Sequence, residues 1–324
     1  MHIYEKSYFH GRMIILKEIR TDLAIESRNF YLDRNNKKEP DGVITQTIEN
    51  EIYTVTHVKI TTNEASRKIG KPSGCYITIQ SPHIKSGLFT EELSIALSEE
   101  LKKLLPYGKK NPLIFVAGLG NSAVTPDSIG PAVVSSLIVT RHLKGETLND
   151  LSLSPLCALA PGVLGITGIE TSEIFSSVTK HIKPDCIIAI DALASGSPSH
   201  VGCTIQLSDT GINPGSGVNN RRSALSEDTL GVPVIVVGIP TVSDISSVVY
   251  TAADKIINSL KIQLSDSEKH SFIENYLSSK KDDLMVTPKN IDALIHRATL
   301  ILSRGINLAI HQNLDYKSVS DYIS

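Results

Sequence analysis

Short apolar runs rich in β-branched residues punctuate the middle of the chain, and longer stretches with a 3.6-residue apolar period separate them. Leu113-Ile114-Phe115-Val116-Ala117, Cys186-Ile187-Ile188-Ala189-Ile190 and the run 233–239 lack polar alternation and are too short for helices. They predict strands buried on both faces of a parallel sheet. Residues 50–60 alternate apolar and polar positions and predict a half-buried strand; 76–79 and 203–207 read as further strands. Residues 91–105 put Leu93, Ala96, Leu97, Leu101, Leu104 and Leu105 on one helical face, and Pro106 ends the pattern. Residues 129–143 and 171–181 predict further helices, and the chain beyond about 245 is mostly helical in pattern. The charged stretch 28–39 reads as a loop, and residues 1–22, without sustained periodicity, as an arm. Strands alternating with helices place the chain in the α/β class with a mostly parallel twisted sheet.

At 324 residues the chain can bury a sizeable core. Its apolar and charged fractions, 41% and 20%, are those of a globular protein. A formal net charge of −2 gives no electrostatic footprint for direct nucleic-acid binding. No apolar stretch approaches the roughly 18 residues of a membrane span. Met13-Ile14-Ile15-Leu16 is too short for a signal-peptide core, so a cytoplasmic protein is expected. Cys75, Cys157, Cys186 and Cys203 form no CxxC pair and read as reduced thiols. The ten histidines show no H-E-x-x-H or His-x-His spacing, so no metal and no cofactor is expected.

The candidate chemistry lies at the strand ends. Asp127 follows the first run through Gly118-Leu119-Gly120-Asn121, and Asp191 ends the second run directly. In open α/β sheets ligands bind beyond the carboxyl ends of the strands. Two carboxylates facing each other there would share a proton, one working as base and the other as acid, which is equipment for activating water. Taken alone, Asp127 reads as a helix N-cap and Asp191 as a turn residue; together they point to catalysis. Gly118-Leu119-Gly120 is half of a dinucleotide fingerprint and lacks its third glycine. The loop 210–218, with Gly215, Ser216 and Gly217, could present backbone N–H groups to a carboxylate or an oxyanion. Arg221 and Arg222 beside it are candidates to meet an acidic substrate side chain.

Several strings together resemble one family. Gly118-Leu119-Gly120-Asn121 with Val124-Thr125-Pro126-Asp127 and Gly130-Pro131, the string from Ala160 to Thr171, Asp191-Ala192-Leu193-Ala194, Ser208-Asp209-Thr210-Gly211-Ile212 with Pro214-Gly215-Ser216-Gly217-Val218, and Met285-Val286-Thr287-Pro288-Lys289 are similar to the germination protease of endospore-forming Firmicutes. The resemblance runs from about Arg20 to the C-terminus; the arm before it is longer than the family's and dissimilar. It implies a three-layer α/β/α sandwich like that of the hydrogenase maturation proteases, which bind a metal. It also implies a homotetrameric endopeptidase, made as a zymogen, that degrades small acid-soluble spore proteins in the spore core. The family's proposed catalytic aspartates fall on Asp127 and Asp191. Arg20-Thr21-Asp22-Leu23-Ala24-Ile25-Glu26 resembles its autoprocessing site, cut between Asp22 and Leu23. An acidic residue, a large apolar one, alanine and a later glutamate mark its substrates too. Residues 1–22 would then be a propeptide that imitates substrate, and 23–324 a single catalytic domain. With Asp22 approaching two carboxylates, lower pH is expected to ease docking of the segment.

Two other readings of the residues stand beside this one. One is a non-catalytic protein that binds spore proteins or nucleotides through its glycine loops. The other is a hydrolase of small amides or esters on the same fold.

Overall fold

The computed structural model describes residues 21–106, 109, 111–143, 148, 153–213, 223–260, 268 and 284–323, with the strand backbones of 6–9 and 12–15. In the arm, β1 (Lys6–Phe9) and β2 (Arg12–Ile15) form an antiparallel hairpin. The body is built on one mixed sheet of β3 (Val43–Glu49), β4 (Thr54–Ile60), β5 (Gly74–Gln80), β6 (Ile114–Gly118), β7 (Leu156–Leu159), β8 (Cys186–Ser195), β9 (Thr204–Ser208), β10 (Val234–Asp244) and β11 (Met285–Val286). Their order is β3-β4-β5-β9-β10-β8-β6-β7, with β11 paired to the far end of β10. The expected parallel pairing holds across β7, β6, β8 and β10. The other flank, β3 to β9, is antiparallel and joins β10 antiparallel as well.

Alternation along the strands sorts the core onto two faces. On one face Ile114 and Val116 of β6, Ile188 and Ile190 of β8, and Ile235 and Val237 of β10 join one cluster. Helices α3 (Thr90–Lys102), α4 (Ile129–Val134) and α7 (Ile291–Ile310) cover it through Leu93, Leu97, Ile129, Val133, Leu294 and Ile301. On the other face, α1 (Ala24–Arg34) and α2 (Asn63–Ile69) cover Val58, Ile60, Tyr76 and Leu193. Alongside, α5 (Thr171–Ile182) seats Phe175 against Phe115, Ile187 and Ala189. The architecture is therefore a three-layer α/β/α sandwich. Helix α6 (Ile245–Ser259) follows β10, and α8 (Tyr316–Ile323) follows α7.

Four expectations need correction. The stretch 28–39 is not a loop: α1 runs through Arg34, because Leu23, Ala24 and Ile25 anchor its start in the core. The helix expected over 129–143 stops at Val134, since Thr140 and Arg141 turn back and donate both N–H groups to the carbonyl of Leu156. Residues 50–53 lie outside the half-buried strand, in the turn that joins β3 to β4. Asp191 does not end its strand, because β8 continues to Ser195 in parallel pairing with β10.

Candidate active site

Asp191 sits mid-strand and is 6% exposed. It shares the parity of Ile187, Ala189 and Leu193, so its side chain leaves the sheet on the α1/α5 face, between the two clusters there. Its Oδ1 accepts the N–H of Ala192 at 3.0 Å. Asp127 arrives from the neighbouring strand. After β6 the chain stays tied to β8, with Leu119 N–H donating to the Ile190 carbonyl at 2.8 Å. A closed turn then follows, in which Asn121 N–H donates to the Asp127 carbonyl at 3.0 Å and Asp127 N–H to that of Val124 at 2.8 Å. Gly120 makes the turn possible. Its φ is +103°, and a Cβ there would stand 2.1 Å from the Asp127 carbonyl oxygen and 2.9 Å from its Oδ1. Among the described residues no group of three His, Cys, Asp or Glu side chains is placed to hold a metal ion.

Asp191 is part of a row. Gly238 of β10 pairs with Asp191 on one side and with Gln206 of β9 on the other. Gln206 has the opposite parity to Ile205 and Leu207, which face α3 and α7, so it shares the face of Asp191. Two strand spacings, about 9.5 Å, separate the two backbones. Gly238 has no side chain to fill the interval; a Cβ there would lie 2.6 Å from Leu193 Cγ, which leans over it.

The N-terminal segment lies on this face. Asp22 N–H donates to the Ala194 carbonyl at 2.8 Å, and Ala194 N–H donates to Asp22 Oδ2 at 2.8 Å. Ala194 is three residues along β8 from Asp191. Gln206 clasps the Asp22–Leu23 peptide from the other side. Its Oε1 accepts the N–H of Ala24 at 2.6 Å, which fixes the amide orientation, and its Nε2 donates to the Asp22 carbonyl at 3.0 Å. Lys71 Nζ donates to the Thr21 carbonyl at 2.9 Å. Burial pushes the Lys71 pKa down, and the Asp22 and Glu26 carboxylates oppose that. Leu23 is fully buried. Docking thus draws on a hydrogen bond and a nearby ammonium for Asp22.

Glu26, 3% exposed, is caged by donors. Gly196 N–H reaches its Oε2 at 2.6 Å, and Ser197 N–H reaches Oε1 at 3.0 Å. Ser195 Oγ lies 2.8 Å from Oε1, His200 Nδ1 also contacts Oε1, and Thr21 Oγ1 donates to Oε2. Burial alone would raise the Glu26 pKa; the hydrogen bonds from His200, Thr21 and Gly196 outweigh it and hold the carboxyl below its ordinary range.

Of the residues singled out from sequence, Asp22, Leu23 and Asp191 belong to one face, with the Asp127 turn tied to the β8 residue before Asp191. Gly215, Ser216, Gly217, Arg221 and Arg222 lie outside the described residues. Sequence reading missed Gln206, Lys71, Ser195, Gly196, Ser197 and His200. The polar Gln206 amid apolar alternation in β9 was the one available signal, since an uncharged amide facing a core asks for a partner.

Comparison with known proteins decides the family. The germination protease family model matches residues 20–262 and 255–323. The chain belongs to the germination protease family. Germination protease from Clostridium perfringens is 41% identical over 326 residues, covering 94% of this chain and 99% of that one. The Caldanaerobacter subterraneus relative is 42% identical over 332 residues, covering 96% and 100%. The Priestia megaterium germination protease is 36% identical over 361 residues, covering 94% and 96%. Among solved structures, a [NiFe] hydrogenase maturation protease from Thermococcus kodakarensis matches 44% of this chain and 80% of its own, at 20% identity and a TM-score of 0.28. The chain is an α/β endopeptidase of this family. No helix among its described residues is long and apolar enough to cross a membrane.

Proposed function

We propose that the chain is a zymogen that cuts itself between Asp22 and Leu23, and that the mature enzyme, residues 23–324, degrades small acid-soluble spore proteins in the spore core as a homotetramer. No nucleic acid, membrane or cofactor takes part. The observation that carries this reading is the clasp on the Asp22–Leu23 peptide: Ala194 of β8 on one side and the Gln206 amide on its carbonyl oxygen on the other. A peptide held by its carbonyl on the sheet face that carries Asp191 is a peptide presented for attack.

In the reaction one aspartate of the Asp127–Asp191 pair takes a proton from water as the water oxygen bonds to the Asp22 carbonyl carbon. The negative charge moves to the carbonyl oxygen, where Gln206 Nε2–H already points. The other aspartate delivers a proton to the Leu23 nitrogen, the C–N bond breaks, and a carboxylic acid and an amine leave. The alternative of a non-catalytic binding protein has no use for this clasp, and a small-substrate hydrolase would not need the hold extended to Glu26. Loop 210–218, with Gly215, Ser216 and Gly217, and Arg221 and Arg222 remain candidates for extended substrate contact.

N-terminal sequencing of the purified chain after self-conversion tests the reading, with incubation against an acidic spore protein to detect fragments. A product beginning at Leu23 is expected. Asp127→Asn and Asp191→Asn should each leave the chain full length unless active enzyme is added, and the double variant should be no worse than either. Asp22→Lys should block conversion and Asp22→Glu permit it partly. A mature start far from Leu23, or conversion by Asp191→Asn alone, would overturn it.

A further inference from the structure

The geometry points to a positioning residue: Thr78 is the resting partner of Gln206, and its hydroxyl takes up the Gln206 amide when the N-terminal segment, or a substrate in its place, leaves the sheet. The docking half of this inference stands on the Gln206 contacts alone. The substrate half rests on the proposed cleavage between Asp22 and Leu23.

Both side-chain contacts of Gln206 among the described residues go to the segment, one to the Asp22 carbonyl and one from the Ala24 N–H. When the segment leaves, both lapse. An amide on a sheet face otherwise lined by Val58, Tyr76 and Leu193 then has donors and an acceptor to satisfy.

Thr78 of β5 stands directly opposite Gln206 in the antiparallel register of β5 with β9. Its parity is opposite to that of Ile77 and Ile79, which belong with Ile205 and Leu207 to the cluster under α3 and α7. The threonine and the glutamine therefore share the α1 face. Side chains so opposed have Cβ atoms about 4.5–5.5 Å apart, within reach of a glutamine amide. Thr78 is fully buried, and its Oγ1 has no hydrogen-bond partner. Thr56 of β4, its neighbour on the other side, is turned to Thr47 Oγ1 at 3.3 Å and does not fill that place. A buried hydroxyl without a partner is costly, and its presence asks for a state in which it is paired. A hydroxyl both donates and accepts, so it can meet either end of the amide.

The two states exchange one set of partners for another. In the empty site Gln206 and Thr78 satisfy each other. In the docked state Gln206 turns to the segment and Thr78 is left unpaired. The cost of that unpaired hydroxyl falls on the docked state alone, so Thr78 loosens the hold on the segment and eases its departure. Thr204 supplies the control: it is fully buried on the same face, and its Oγ1 also lacks a partner, but it stands opposite Gln80 rather than Gln206.

The full-length Asp191→Asn chain carries the docking arm of the test. Protection of residues 21–34 against hydrogen exchange is measured relative to the intrinsic rate. Thr78→Val should raise it about threefold or more, the effect of one hydrogen bond, and Thr78→Ser should leave it nearly unchanged. With Gln206→Ala also present, Thr78→Val should have almost no effect, because the partner is gone. Thr204→Val should not tighten the segment. Tightening by Thr78→Val that persists in Gln206→Ala, equal tightening by Thr204→Val, or no tightening by Thr78→Val would each overturn the inference. Where Thr78→Val does not fold, Thr78→Ala takes its place with the same expected results. A peptide with the sequence of residues 18–34 carries the substrate arm, on self-converted enzyme. Thr78→Val should lower KM about threefold or more without raising kcat, and Thr78→Ser should restore the parent KM. An unaltered KM beside tightened docking would overturn the substrate half. Failure of the parent enzyme to cleave the peptide would overturn the cleavage reading and the substrate half together, while the exchange data decide the docking half.

Discussion

Gln206→Ala separates binding from catalysis at the proposed scissile peptide. The side chain makes two contacts with the segment, Nε2–H to the Asp22 carbonyl at 3.0 Å and Oε1 from the Ala24 N–H at 2.6 Å. As ground-state hydrogen bonds they contribute about 0.5–1.5 kcal/mol each, so their joint loss weakens docking by roughly fivefold to 150-fold. The contact to the carbonyl oxygen strengthens as charge develops there. Removing one such donor from an oxyanion site costs about 2.7–4 kcal/mol, or 10²–10³ in kcat. The transition-state effect is the larger and appears in a different constant. The assay measures kcat and KM separately on a peptide spanning the Asp-Leu bond, with circular dichroism to confirm folding. Gln206→Ala should lower kcat by at least a hundredfold and raise KM by a smaller factor. Gln206→Glu keeps the acceptor for the Ala24 N–H but has no donor for the carbonyl, so it should lose kcat at least as severely. A Gln206→Ala enzyme with kcat within threefold of the parent and only KM raised would refute the catalytic role and leave Gln206 as a binding clasp.

Three further outcomes follow from particular contacts. Gly120→Ala should abolish self-conversion with only a modest loss of melting temperature: a Cβ 2.1 Å from the Asp127 carbonyl displaces the turn that positions Asp127, not the core beneath it. Full activity in a folded Gly120→Ala protein, scored by gel shift and thermal melt, would count against Asp127. The Glu26 pKa is held below its ordinary value of 4.5, so docking of the segment is favoured above that pH and weakens as pH falls through the depressed value. Protection of residues 21–34 against hydrogen exchange, taken relative to the intrinsic exchange rate at each pH, should therefore fall below about pH 4.5 in the full-length Asp191→Asn protein, and Glu26→Gln should flatten the dependence. Gly215→Val or Gly217→Val should depress turnover more than melting temperature, because β-branched residues resist the positive-φ conformations such loops use; equal losses would make the loop structural.

The parts of the fold that patterning revealed are those whose side chains answer to the sheet alone. β6, β8 and β10 are buried on both faces, so they read as unbroken apolar runs wherever their partners lie. Strand and helix ends were harder to place, because they depend on distant contacts. β8 passes through the polar Asp191 since β10 continues beside it to Ser243, and the helix after Asp127 breaks off to meet β7. Helix α1 was misread for the same reason. Its charged residues carry little apolar period, and its start is fixed by Leu23, Ala24 and Ile25 in the core and by Glu26 in its cage.

The active site divides in the same way. Asp127 and Asp191 stand out in the sequence because a carboxylate within or just beyond a buried strand is costly unless it is paired or has work to do. The residues that hold the substrate-like segment were not, because serine, glycine, histidine and glutamine at a strand end are ordinary until a ligand is laid across them. Here the protein supplies that ligand from its own chain. Glu26 is 169 positions from Ser195 and 174 from His200, so no local pattern could have joined them. Under the proposed cleavage, once Asp22 and Leu23 are severed, the remaining contacts are those that a chain with an acid and a large apolar residue at the same spacing can make. On that reading the segment and a substrate are held by the same contacts, and a change there that frees the segment should weaken the grip on substrate in proportion.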